Sequence, residues 1–471
     1  MSNNAKKLGS WLIIAGLAIG SFSMGSRLRS WQESPDVIAA ENTHVNSIQA
    51  SALLKLTPEC APITPQNDML RSPVKYRQLV SNVLALLKTQ YVEPITSQKE
   101  TEMARGAVRG MINSLADTDS RFLDPKERKQ LDDAASGRLH GIGAVLAMKK
   151  EKADGNEITK LIIVTQMPGS PAEKAGLKPG DSVTHLNGKW IITYDPFREA
   201  SFIKMEKGVR NKEISEYDYQ KAFEAAAKKI KEGMPLSEAV SILTSKTSGE
   251  ITVNVDRPGA SAPVKAKIAC KETQVVPVVE KTIDKNTAYI KITQFNAGAA
   301  KAFDAGIKKA RSKGAKAIII DLRNNPGGLL QTASYVTGNI AGGGKLGIIC
   351  GNNRKRIIET PKKEGLKMPV AVLVNGGTAS VAELAAGTLR DRIGATIIGT
   401  KTFGDGLTQT PLLLKDGSMA LLTTGKMLTP GGYDFEGKGI VPDIEISQQS
   451  GAGDAQLAAA IKIIKKKLGR A

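Results

Sequence analysis

The chain has 471 residues, enough for two or three domains with separate cores, and its 41% apolar and 24% charged residues are ordinary globular values. That balance argues against disordered and collagen-like classes. A net charge of +20 would suit a nucleic-acid binder. However, only 4% of residues are aromatic and no zinc-finger or helix-turn-helix spacing occurs, so the excess of lysine is read as attraction to an anionic membrane surface or acidic polymers, and no nucleic acid is expected.

Residues 1–30 form the first element. Lys6 and Lys7 precede 19 uncharged residues, Leu8 to Ser26, and Arg27 and Arg29 follow. At about 1.5 Å per residue such a helix nearly spans a bilayer core of roughly 30 Å. It reads as a signal peptide or a membrane anchor, and either predicts an exported, cell-envelope protein. Residues 31–72 read as a linker, with Pro58, Pro62 and Pro65 and no sustained period. Apolar residues then recur at helical spacing (Leu79, Val83, Leu86, Leu87; Met103, Val108, Met111), which predicts a helical subdomain over 73–136.

Residues 137–273 alternate short apolar runs with turns such as Pro179-Gly180-Asp181 and predict a compact β-rich module. A charged stretch, about 195–233, contains strong helix formers and is expected as an inserted helical hairpin. From 274 to 450 apolar strands alternate with helices, which predicts an α/β core with a largely parallel sheet. A basic amphipathic helix over 451–471 closes the chain. Cys60, Cys270 and Cys350 are widely spaced and the three histidines do not cluster, so neither a metal site nor a His-based triad is expected.

Three segments of the core carry candidate chemistry. In Ile318–Gly328 a strand runs into Asn-Asn-Pro-Gly-Gly; such a turn can be purely structural, but glycine amides can also lie bare against a substrate and donate to an oxyanion. In Val372–Asp391, Ser380 stands at a helix start. Ser380-x-x-Glu383 is a capping box, and a helix N-terminus also favours negative charge beside a hydroxyl. In Gly399–Gln409 a loop bears Lys401, Asp405 and Gln409.

Together these segments resemble the C-terminal processing, or tail-specific, peptidases, an S41-type serine peptidase family with a PDZ domain and a ClpP/crotonase-like core. The family's N-x-x-S-A-S-x-x-E string is matched by Asn375 to Glu383, with Thr378 for the first serine, and its D-L-R-x-N-P-G-G turn by Asp321 to Gly328. Ser114–Glu127, Gly169–Gly188 and Leu428–Ile446 resemble further family segments in the same order. The resemblance implies Ser380 as nucleophile, Gly327, Gly328 and the Val381 amide as oxyanion donors, Gln409 as orienting residue, and no cofactor. It also implies that 137–273 is a PDZ-like domain in which Gly141, Ile142 and Gly143 bind the carboxylate of a protein or peptide C-terminal tail by strand addition.

One position departs from the pattern. The family's base is the lysine of a T-F-G-K-G string, and here Asp405 occupies its place in Thr402–Gly406. A catalytic lysine is tuned to a pKa of about 7–8, whereas an aspartate begins near about 3.9 and is a poor base. Three readings follow: a relocated lysine (Lys401, or Lys426 on a later strand), Asp405 as a slow base, or a catalytically inactive PDZ-containing scaffold of the same fold. Against Lys401, extended residues four apart share a face but stand about 13 Å apart.

Overall fold

The computed structural model describes residues 75–115, 117–153, 156–245, 249–352, 354–447 and 453–469. The expected signal peptide or anchor and the linker lie outside these residues. Among the described residues no helix is long and apolar enough to cross a membrane. The chain divides into two units, residues up to 124 with Pro411–Leu422, and Pro125–Thr410 with Thr423 onward.

In the first unit, helices α1 (Lys75–Gln90) and α2 (Ser97–Asn113) precede the short strand β1 (Arg121–Leu123). Thr96 caps α2 by accepting from Lys99 N. A small core of Ile112, Phe122 and Ala420 is flanked by Val108, Leu412 and Leu422, and the Arg109 guanidinium lies over the Phe122 ring. The apolar stripe of α1 takes no part in it: Leu79, Val83 and Leu86 are exposed. The helix that follows, α3 (Pro125–Ala135), belongs to the second unit, so the division falls near 124 and not at 136. The physical reason is that Asp133 on α3 binds Arg138 and His140, and Ala135 accepts from Ala297 N, all of them in that unit.

The second unit opens with β2 (Arg138–Leu139), which pairs with β9 (Thr273–Gln274). Between them lies a sheet of order β3-β4-β5-β7-β8, comprising Ala144–Ala153, Asn156–Gln166, Ser182–Leu186, Glu250–Asp256 and Val264–Ala269. Its inward residues, among them Leu161, Ile163, Val183, Val253 and Ile268, pack with Ile142 and Leu243. β3 is an edge strand. The short helix α4 (Pro171–Lys174) follows β4, and β6 (Lys189–Trp190) pairs with β5. The charged stretch forms a helical hairpin, α5 (Ala200–Arg210) and α6 (Glu216–Glu232), joined through Phe197, Phe202, Tyr219 and Phe223. Helix α7 (Leu236–Thr244) then packs on the sheet.

The core sheet has the order β10-β11-β12-β15-β16-β19: Val278–Asp284, Thr287–Ile292, Ala317–Asp321, Val370–Val374, Thr396–Gly399 and Ile444–Glu445. All pairs are parallel except β10 with β11. Because helices cover both faces, β12 and β15 are buried at every residue and read as unbroken apolar runs. Ile318, Ile320 and Val372 face α8 (Ala299–Ser312), α9 (Leu330–Ala341) and α10 (Val381–Ile393). Ala317, Ile319 and Leu373 face Ala460 and Ile464 of the C-terminal helix α11 (Ala455–Leu468).

Candidate active site

Three loops leave the carboxyl ends of the adjacent parallel strands β12, β15 and β16, where open parallel sheets commonly place their ligands. They are the three segments singled out from sequence. Hydrogen bonds lace the first two together. Asn324 N donates to Asn375 Oδ1 at 2.9 Å and Asn375 Nδ2 to Asn324 Oδ1 at 2.8 Å. Thr378 Oγ1 donates to Leu322 O at 2.8 Å, and Ala379 N to Asn325 O at 2.9 Å. Thr378 thus holds the loop by its hydroxyl, as a serine there also would.

The turn after β12 separates its two glycines. Gly327 is buried, and a β-carbon there would lie 2.9 Å from Ser380 Cβ and 3.3 Å from Val381 N. Its own N–H donates to Asn325 Oδ1 at 2.9 Å. The expectation that Gly327 supplies an oxyanion donor is therefore corrected: Gly327 gives close approach, and its amide is already used. Gly328 is exposed beside it at φ +129°. Both conformations favour glycine. Asn325 is fully buried and also donates from Nδ2 to Ile292 O, so it fixes the turn from beneath.

Ser380 is half-buried and has φ +56° and ψ −128°, outside the wells open to side-chain-bearing residues. Such a backbone costs about 1–3 kcal/mol and persists only where its surroundings impose it. Here they do. Ser380 N donates to Glu383 Oε2 at 2.9 Å, its carbonyl accepts from Glu383 N, and helix α10 begins at the next residue. The Val381 amide stands at the helix start, where the dipole favours negative charge.

Glu383 does more than serve a capping box. It is fully buried, and its carboxylate gathers four donors: Ser380 N and Asp405 N on Oε2, Gly404 N and Thr402 Oγ1 on Oε1. Burial pushes its pKa up to about 7, against the pull of those four donors. Ser380 N and Asp405 N each lie under 3 Å from one oxygen, so the two nitrogens are within about 6 Å of each other. The aspartate therefore stands beside the serine in space as well as in motif order. Further bonds fix the loop: Phe403 N to Thr378 O at 3.0 Å and Gly406 N to Glu436 Oε2 at 2.6 Å.

The other expected residues fall into place less closely. Asp405 and Gln409 are half-buried, and Gln409 lies on β17 (Leu407–Leu413). Lys401 is exposed. Lys426, on β18 (Met419–Leu428), is ion-paired with Asp434 at 3.4 Å. In the β-rich domain, Gly141, Ile142 and Gly143 are all buried, and Ile142 N donates to Leu243 O at 2.9 Å. The expectation that the Ile142 amide meets a tail carboxylate is corrected accordingly, because the end of α7 already occupies it. Among the described strands, β3 pairs with β4 alone. The strand beside it, β4, reaches the core loops: Thr165 Oγ1 donates to Asn324 O at 3.2 Å. A β-carbon on Gly377 would lie 3.2 Å from Val164 O.

Asn324, Asn325, Asn375, Thr402 and Thr165 carry this scaffold, and sequence reasoning assigned them no role. The signal available was the Asn-Asn pair before Pro-Gly-Gly; Asn324 has φ +61°, a conformation asparagine tolerates.

Comparison with known proteins bears on the whole. Residues 286–446 match the model of peptidase family S41, and 162–200 match a PDZ domain. A carboxy-terminal processing protease CtpA of Bacillus subtilis is 30% identical over 403 residues, spanning 85% of this chain and 75% of that protein. A probable CtpA-like serine protease of Staphylococcus aureus is 31% identical over 371 residues; this alignment spans 78% of the chain and 64% of its relative. The structure of a photosystem II D1 C-terminal processing protease superposes with a TM-score of 0.58 at 24% identity, over 82% of this chain and 96% of that one, a likeness of fold.

Proposed function

Since the chain belongs to the carboxy-terminal processing proteases of peptidase family S41, with a PDZ domain, we propose that it is a serine-type endopeptidase acting near the C-terminal tails of proteins in the cell envelope, slowed by the loss of the family's base. Ser380 Oγ attacks the carbonyl carbon of the scissile peptide, its proton passes by way of Asp405, a slow base, to the departing amine, and an acyl-enzyme forms. Water then resolves the ester. Gly328 N and Val381 N receive the oxyanion, while Gln409 orients the base position. The tail adds as a strand to the free edge of β3, beside the β4 residues that touch the Asn324 and Gly377 turns. The segment Leu8–Ser26 and its flanking cations support export, by cleavage or by anchorage.

The observation that carries this reading is the shared oxygen of Glu383, which joins the backbones of Ser380 and Asp405. It supports an acylation site around Ser380 in which the neighbouring side chain is a carboxylate. A second reading, an inactive tail-binding scaffold, is favoured by the same substitution together with the exposure of Lys401 and the pairing of Lys426 with Asp434.

Labelling by a fluorophosphonate separates the two. Slow labelling of the parent that Ser380→Ala abolishes supports the peptidase reading. A parent that never labels, while Asp405→Lys does, leaves the scaffold reading in force. If neither labels, Ser380 is not a nucleophile.

A further inference from the structure

The carboxyl end of β12 carries a second charged cluster, away from Ser380, that the acylation chemistry does not use. Asp321 is fully buried and accepts from Tyr289 Oη at 2.6 Å, from Arg323 N at 2.8 Å and from Arg323 Nη2 at 2.6 Å. The guanidinium then turns outward. Its Nη1 and Nη2 donate to the two oxygens of Asp454, each at 2.8 Å, and Nη1 also to Gln456 Oε1 at 3.1 Å. Gln456 is nearly fully buried and donates from Nε2 to Ile446 O at 2.7 Å. Asp454 is also the N-cap of α11, accepting from Leu457 N at 2.9 Å.

A planar fork is thus bracketed by one carboxylate on the sheet and one on the C-terminal helix, the geometry for which arginine is suited. Burial alone would lower the guanidinium pKa, but its bonds to Asp454 and Asp321 hold it above the usual range. Arg323 opens the turn that ends at Gly328. The next two residues are Asn324, bound to Asn375, and Asn325, bound to the Gly327 amide. A shift of Arg323 would move both: Asn325, whose side chain bonds the Gly327 amide beside Ser380, and Asn324, which is tied to Asn375.

We propose that Asp454 and Gln456 are positioning residues for the oxyanion turn, acting through Arg323 and Asp321, so that the C-terminal helix sets the geometry in which Gly328 N faces the serine. This rests on the reading of that turn as an oxyanion donor. The plainer account is an ion pair that only pins α11 to the sheet, and the two differ in what a gentle substitution does. Asn caps a helix as well as Asp. Asp454→Asn therefore keeps the start of α11 while removing the charge that Arg323 holds.

The test uses the full chain carrying Asp405→Lys, with and without Asp454→Asn. Three quantities are measured: the rate of Ser380 acylation by a fluorophosphonate, the affinity for a peptide with an apolar C-terminus, and amide hydrogen exchange. Positioning predicts an acylation rate at least tenfold lower, tail affinity within twofold, and about tenfold faster exchange at Gly327 and Gly328 with none at Leu384–Leu389. Unchanged acylation and unchanged turn exchange overturn it. So does a loss of rate accompanied by faster exchange throughout the core, which is the mark of a merely structural pair. Should neither the parent nor Asp405→Lys acylate, the proposed function falls, and the exchange pattern alone decides the role of the helix.

Discussion

The two halves of the site are held in different ways. On the side of the Gly-Gly turn, the Asp321–Gly328 segment is fixed against the Ser380 loop by particular side chains. Asn325 commits its oxygen to Gly327 N, and Asn324 and Asn375 clasp each other. On the side of Asp405, the Thr402–Gly406 loop is held by the Thr402 hydroxyl and by backbone amides, with Gly404 N and Asp405 N on Glu383 and Gly406 N on Glu436. Backbone bonds do not depend on which side chain sits at 405. The base loop can therefore keep its shape while its chemistry changes, whereas a change in the oxyanion turn would be felt as structure.

The largest expected effect follows directly. Asp405→Lys restores a tunable base to an intact scaffold, so Ser380 acylation should rise about 10²–10⁴-fold, the usual worth of general base catalysis, with little change in melting temperature. A lysine variant that unfolds would show that the loop does sense its side chain. Gly328→Ala should do the opposite. A β-carbon there would lie 2.5 Å from Phe295 O, and the residue already has φ +129°. The turn must shift, and acylation in the lysine background should fall about 10²-fold, read as kcat with KM little changed.

Glu383 joins the halves, and its ionisation supplies a pH test. Its folded pKa of about 7 lies above the ordinary 4.5, so the folded state holds the proton more tightly than the unfolded chain. The stability it contributes is present below 4.5 and is lost as pH rises through 7. Glu383→Gln imitates the neutral form without titrating. Denaturant unfolding should show the parent losing on the order of 2–3 kcal/mol relative to this variant between pH 4 and pH 8. A constant difference across that range would mean that the four donors keep the carboxylate ionised throughout.

Asn375→Ala removes one side of the asparagine clasp and should cost about 1–2 kcal/mol, with faster amide exchange at Asn324 before any change at Gly404. Lys401→Ala is the smallest: the residue is exposed, and acylation should change less than twofold. A large loss there would revive the relocated lysine and place the base on the solvent side of the loop.

Much of this was legible in the chain. The order of the Asp321–Gly328, Asn375–Glu383 and Thr402–Gly406 segments, each after an apolar strand, placed three loops on one sheet end, because parallel strands point their carboxyl ends the same way. Other features were hidden for physical reasons. Ser380-x-x-Glu383 looks like a capping box in one dimension; that the carboxylate also takes Thr402, Gly404 and Asp405 depends on α10 lying against a loop some twenty residues away. The two glycines are alike in sequence, and only the side chain of Asn325 singles out the Gly327 amide by bonding it. The α1 stripe shows the reverse. Its period announced a helix correctly, but period does not say what covers the face, and Leu79, Val83 and Leu86 are exposed.

By itself the sequence placed Ser380, the Gly-Gly turn and Asp405 where the family pattern has its nucleophile, oxyanion turn and lysine, since those are matters of identity and order along one strand-loop-helix plan. It also put an aspartate, with its low intrinsic basicity, where the family pattern has a lysine. Only the tertiary structure decided which glycine amide is already bonded, which residues hold the strained backbone of Ser380 and how the C-terminal helix reaches the turn. Those depend on hydrogen bonds between segments up to 159 residues apart, among them Thr165 with Asn324 and Arg323 with Asp454, and their partners are chosen by packing of the sheet and its two helical faces.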